Sequence, residues 1–87
     1  MSQRQVTIAS MVGLHARPAA IFAKAAAAAS VPVQIAKDGA PVNARSVLSL
    51  LTLGAEYGDV VTLYAEGDSA ESVLEELATL LSRDLDE

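Results

Sequence analysis

The 87-residue sequence has no cysteine and no tryptophan, a single phenylalanine (Phe22), two tyrosines and one histidine, His15. Without cysteine there is no disulfide framework, no thiolate metal site and no cysteine nucleophile. A chain this short buries only about 60% of the surface that its unfolded form exposes, so its core has to be efficient unaided. Apolar residues make up 52% of the sequence, but 17 of them are Ala, which brings little area to bury; helices must therefore lie close to their neighbours. Basic charge is scarce as well. Six Lys and Arg against eleven Asp and Glu give a formal charge of −5, which disfavours binding of polyphosphate backbones, and so few aromatics leave no platform for base stacking. No apolar run approaches the roughly 18 residues of a membrane span. Arg4, His15 and Arg17 also interrupt any signal-peptide reading of the N-terminus. These absences imply a cytoplasmic protein of one domain, residues 1–87, with no nucleic-acid partner and no membrane insertion.

What is present alternates between two periods. Residues 3–9 place Val6 and Ile8 on one side between polar neighbours and read as a half-buried strand. Gly13 punctuates a loop, and from Ala16 the sequence turns Ala-rich through Ala29, with Pro18 tolerable in a first helical turn. Val31-Pro32 ends that helix. Val33 and Ile35 then alternate with Gln34 and Ala36, Asp38-Gly39 reads as a tight turn, and Val42 follows on a short return strand that Pro41 assigns to a sheet edge. Ser46 precedes a short helix closed by Gly54, a residue suited to the left-handed position past a helix end. Tyr57-Gly58-Asp59 leads into a strand over Val60–Ala65. Asp68-Ser69-Ala70-Glu71 has capping-box spacing, and Ala70, Val73, Leu74, Leu77, Leu80 and Leu81 recur at helical intervals. The order β-α-β-β-α-β-α, with strands polar on alternate positions, implies an α+β sandwich: an antiparallel sheet with helices on one face and solvent on the other.

His15 stands where a loop becomes the first helix, in Gly13-Leu14-His15-Ala16-Arg17-Pro18. The leading amides of a helix have no intrahelical partner and carry the positive end of its dipole, so an anion there gains about 0.3–1 kcal/mol or more when partly buried. Arg17 adds a guanidinium fork suited to phosphate oxygens. Gly13 leaves room for the close approach of a partner's backbone. A single His without further His or Cys is a poor basis for a metal site. Ser10 and Ser46 are candidate serine nucleophiles, but no nucleophile-elbow pattern surrounds either. A phosphoryl acceptor needs only a neutral ring nitrogen, anion stabilisation nearby and exposure. On position alone, a lone His at a helix start is most often a solvated or capping residue; its combination with Arg17, Pro18 and Gly13 favours the chemical reading.

Gly13-Leu14-His15-Ala16-Arg17-Pro18-Ala19 resembles the active-site signature of the HPr family, the histidine-containing phosphocarriers of the bacterial phosphoenolpyruvate-dependent sugar phosphotransferase system. Val42-Asn43-Ala44-Arg45-Ser46-Val47-Leu48 is similar to the same family's regulatory-serine region, and the two segments lie at the family's separation. The resemblance implies an open-faced β-sandwich, with a four-stranded antiparallel sheet and three helices on one face. It also implies that His15 accepts a phosphoryl group from Enzyme I, itself charged from phosphoenolpyruvate, and passes it to the IIA domains of sugar permeases while Arg17 neutralises the group in transit. Such a protein is a monomeric relay without independent turnover, metal or cofactor. In many relatives a serine at the place of Ser46 is phosphorylated by a dedicated kinase. Ser49 and Arg45 depart from the Gly and Lys common there, and Met11-Val12 departs from the polar residue that often precedes the Gly.

Docking over His15 calls for an apolar patch with a cationic rim. Ala16, Ala20, Val47, Leu48 and Leu51 are the candidates for the patch, with Lys24 and Arg17 on the rim, and helical spacing requires at least one of Val47, Leu48 and Leu51 to be exposed. Ser46 has two readings, an N-cap of its helix and a modification site whose dianion would spoil docking. The rival functions are a specialised HPr paralogue, a regulatory module that binds a transcriptional regulator through the Ser46 surface, and an acyl carrier modified at Ser69. Four strand segments argue against the last, because acyl carriers are helical bundles.

Overall fold

A computed structural model describes residues 2–10 and 13–83 of the chain; Met11 and Val12, where the sequence departs from the family signature, lie outside the described residues. The elements follow as β1 (Ser2–Thr7), α1 (Ala16–Ala27), β2 (Val33–Ala36), β3 (Val42–Asn43), α2 (Val47–Leu53), β4 (Val60–Ala65) and α3 (Ala70–Leu81). The four strands form one antiparallel sheet in the order β1-β4-β2-β3. Val6 pairs with Val61 and Ile35 with Leu63, so the apolar positions of three strands share a face. Phe22 of α1, Leu50 of α2 and Leu74 and Leu81 of α3 close over that face in a single core. Ala19 and Ala26 are fully buried in it, since the small side chain lets α1 approach closely where bulkier residues would hold it away. On the opposite face Gln3, Gln5, Gln34, Thr62 and Tyr64 stand beside one another, as the alternation requires. The molecule is therefore an open-faced β-sandwich with four antiparallel strands and three helices.

Four local expectations are corrected. The first strand ends at Thr7 rather than residue 9: Ile8 N still donates to Asp59 O (2.8 Å), but Ile8 O accepts from Gly58 N (2.9 Å) while Asp59 N turns to Glu56 O (3.0 Å), and Ala9 N donates to Leu81 O (3.1 Å). The first helix stops at Ala27 rather than Ala29. There the Arg45 guanidinium donates to the carbonyls of Ala26, Ala29 and Val31 at 3.3 to 3.5 Å, satisfying acceptors that a helix end leaves open. Asp38-Gly39 is not a tight two-residue turn: residues 37–41 connect β2 to β3 and Gly39 does not take positive φ, so the primed geometry of a two-residue hairpin is absent. The capping box is out of phase. Ser69, not Asp68, is the N-cap of α3 and makes no side-chain cap bond, which puts Glu71 one residue too early to reach back.

Candidate functional site

His15 is the N-cap of α1, extended at φ −85° and ψ −174°, and its own side chain makes no capping bond. Its carbonyl accepts from Ala19 N at 2.8 Å, which starts the helix directly behind the ring. Pro18 in that first turn has no N–H, so the amides of Ala16 and Arg17 are the leading donors. The ring is 64% exposed, and Arg17, two residues on, is exposed as well. Ser10, buried at 2% exposure with an unpartnered Oγ, is not accessible as a nucleophile.

The backbone that carries His15 is held from beneath by a second loop. Gly13 has φ +72°, and a Cβ there would lie 2.7 Å from Ala55 O and 2.9 Å from Glu56 Cα. Leu14 N donates to that same carbonyl at 2.9 Å. The close approach that Gly13 permits is thus to the chain's own backbone, which corrects its reading as room for a partner. The consequence is chemical as well as structural. The loop brings the Glu56 carboxylate to 3.8 Å from His15 Nε2, with Glu56 67% exposed.

Glu56 is itself fixed by a small ionic frame. Its amide donates to Asp59 Oδ2 (2.9 Å), the same oxygen pairs with Lys37 Nζ (3.0 Å), and Lys37 donates to Gly54 O (3.1 Å). The hydrogen bond from Glu56 N, then that from Lys37, lowers the Asp59 pKa below the ordinary carboxylate value, and the bond to Asp59 raises that of Lys37. Sequence reasoning missed Glu56, Lys37 and Asp59. Gly54 and Gly58, both at positive φ, bracket a polar loop that could have been flagged, but nothing periodic ties it to His15.

The docking candidates lie on two helices that pack against each other. Ala16, Ala20 and Lys24 are exposed at successive four-residue steps along α1, which places them on one stripe. On α2 only Leu50 is buried; Val47 (37%), Leu48 (72%) and Leu51 (40%) are all exposed, as is Ile21 of α1, which sequence reasoning did not include. Ser46 caps α2, its Oγ accepting from Ser49 N at 3.2 Å, and Gly54 closes the helix at φ +70°. No group of three or more His, Cys, Asp or Glu among the described residues is placed to hold a metal ion, and no described helix is long and apolar enough to cross a membrane.

Residues 2–83 match the family model described as the PTS HPr component phosphorylation site. The chain belongs to the HPr family. Against the phosphocarrier protein HPr of Streptomyces coelicolor it is 50% identical over 88 residues, covering all of this chain and 95% of that one. The HPr-like protein Crh of Bacillus subtilis is 38% identical over 85 residues, covering 98% of this chain and 100% of that one. Among solved structures, HPr from Thermoanaerobacter tengcongensis superposes with a TM-score of 0.91 at 38% identity, over 100% of this chain and 98% of that one. Phosphocarriers of the phosphotransferase system and the HPr-like protein Crh thus both stand among the relatives of this chain.

Proposed function

We propose that this chain is a phosphocarrier in which His15 accepts a phosphoryl group from Enzyme I and passes it to the IIA domains of sugar permeases. The observation that carries the reading is the exposed His15 ring at the N-terminus of α1, within the HPr signature. His15 supplies the attacking lone pair; the amides of Ala16 and Arg17 and the Arg17 guanidinium face the charge that arrives. An exposed helix end shelters the phosphoryl group without holding it too tightly, as a relay requires. The exposed residues of α1 and α2, with Lys24 and Arg17 at their edge, form the docking surface, and the protein acts as a monomer in the cytoplasm without metal or cofactor.

Intact mass after incubation with Enzyme I, magnesium and phosphoenolpyruvate tests the proposal. Wild type gains one acid-labile phosphate, whereas His15→Ala gains none and keeps its fold, because the lost side chain is mostly solvated. A folded wild type that takes no phosphate beside an active control carrier overturns it. The regulatory reading would then stand in its place. The similarity to Crh and the placement of the half-buried Ser46 at the N-terminus of α2 support that second reading, in which a serine kinase and a transcriptional regulator are the partners.

A further inference from the structure

His15 has two ring nitrogens, and among the described residues the carboxylate paired with the ring lies beside Nε2. Nε2 lies 3.8 Å from Glu56 Oε1, inside ion-pair reach though longer than a hydrogen bond, and catalytic contacts of this kind often tighten only when the partner is bound. Both side chains are about two-thirds exposed and have room to close the gap by rotation. The backbone that carries the carboxylate is tied at several points: Glu56 N is held by Asp59, Asp59 by Lys37, and Lys37 by Gly54 O. From below, Gly13 is packed against Ala55 O and Glu56 Cα. The histidine loop and the glutamate loop are thus locked to one another.

A carboxylate beside one ring nitrogen has two effects. It accepts a proton held on that nitrogen, which fixes the tautomer and leaves the lone pair on the other. It also repels a phosphoryl group approaching the nitrogen it faces. Both effects direct chemistry to Nδ1.

We propose that Glu56 is a positioning residue for phosphoryl transfer: it holds His15 in the Nε2–H form and closes Nε2 to phosphate. The proposal rests on the phosphocarrier reading. In the step, the Nδ1 lone pair forms the N–P bond while the bond from phosphorus to the donor protein breaks, its electron pair leaving with the donor. The Nε2 proton stays in place and is shared with Glu56. In the reverse step the N–P electron pair returns to Nδ1, and the ring leaves as the neutral Nε2–H imidazole, the form that Glu56 favours.

The test compares Glu56→Ala with Glu56→Gln, whose amide oxygen can still accept from Nε2–H but carries no charge. Long-range 1H–15N spectra of the unphosphorylated ring, recorded at a pH where it is neutral, show one Nε2–H form in wild type and Glu56→Gln and a mixture of tautomers in Glu56→Ala. In phosphorylation by Enzyme I, Glu56→Ala lowers kcat on the order of threefold to tenfold, the size of one lost hydrogen bond, with KM unchanged; Glu56→Gln recovers most of the rate. A wild-type tautomer and a wild-type kcat in Glu56→Ala overturn the proposal, as does a loss confined to KM, which would make Glu56 a docking residue. Because the spectra need no partner, they separate this failure from that of the phosphocarrier reading, in which wild type itself would take no phosphate.

Discussion

Gly13 and Gly54 show how differently two residues of one type are constrained. Both take positive φ, at +72° and +70°, but a Cβ at Gly13 would meet the backbone of Ala55 and Glu56 below 3.0 Å, whereas one at Gly54 would meet nothing within 4 Å. Gly54→Ala therefore costs only the conformational term, about 1–2 kcal/mol. Gly13→Ala costs that much and a clash with a carbonyl that also accepts from Leu14 N, a total of roughly 2–4 kcal/mol. Urea denaturation of the two variants measures the difference, and equal losses would show that the histidine loop is free to move off the glutamate loop. His15, Arg17 and the Ser46 cap were legible in the sequence because each owes its place to the local start of a helix. Glu56 was not, since its proximity to His15 is made by the Gly13 contact and not by any spacing along the chain.

Elements were legible to the extent that their own residues determine them. The burial of Val33 and Ile35 around an exposed Gln34, the helical interval of Val73, Leu74 and Leu77, and the Ser46 and Gly54 ends of α2 all reappear in place, although Ala36, read as an alternate position, is buried. The misjudged boundaries are those decided from a distance. An unbroken run of Ala offers no local stop, so α1 ends where Arg45 reaches the carbonyls of Ala26, Ala29 and Val31, and β1 ends where Gly58 N donates to Ile8 O and Ala9 N turns to Leu81 O. The loop from Gly54 to Asp59 is a third case, organised by Lys37 of the β2–β3 connection. Its ionic frame carries a pH signature. The Asp59 pKa is lowered by folding, so its contribution is full above the ordinary aspartate value of about 3.9 and is lost as the pH falls through the lower folded value. That of Lys37 is raised, so its contribution is full below about 10.4 and is lost as the pH rises through the higher folded value. Asp59→Asn keeps an acceptor for Glu56 N but removes the charge. It is expected to be less stable than wild type at neutral pH and to converge with it at acid pH, as followed by denaturant midpoints; a gap independent of pH would assign the loss to packing.

At the scale of the whole molecule the division of labour lies in α2, a helix of seven residues in which Leu50 alone is buried. A chain with few large apolar residues leaves Leu48 72% exposed, and Val47, Leu51 and Ile21 are exposed as well. Folding does not account for that exposure; the docking proposed over α1 and α2, with Arg17 and Lys24 at its edge, would account for it. The acidic residues of α3, Glu71, Glu75 and Glu76, are exposed on another helix, whereas Glu56 is the carboxylate that stands beside His15. Leu48→Ala and Leu50→Ala separate the two roles. Leu50→Ala opens a cavity in the core and costs about 2–5 kcal/mol of stability. Leu48→Ala leaves stability within about 0.5 kcal/mol, because its side chain is already hydrated. If it anchors the partner, its truncation removes about 1–2 kcal/mol of association, a rise in KM for phosphorylation by Enzyme I of roughly fivefold to thirtyfold with kcat unchanged. A wild-type KM in Leu48→Ala, with the fold intact, would move the docking surface off α2 and leave the exposure of Leu48 without a function.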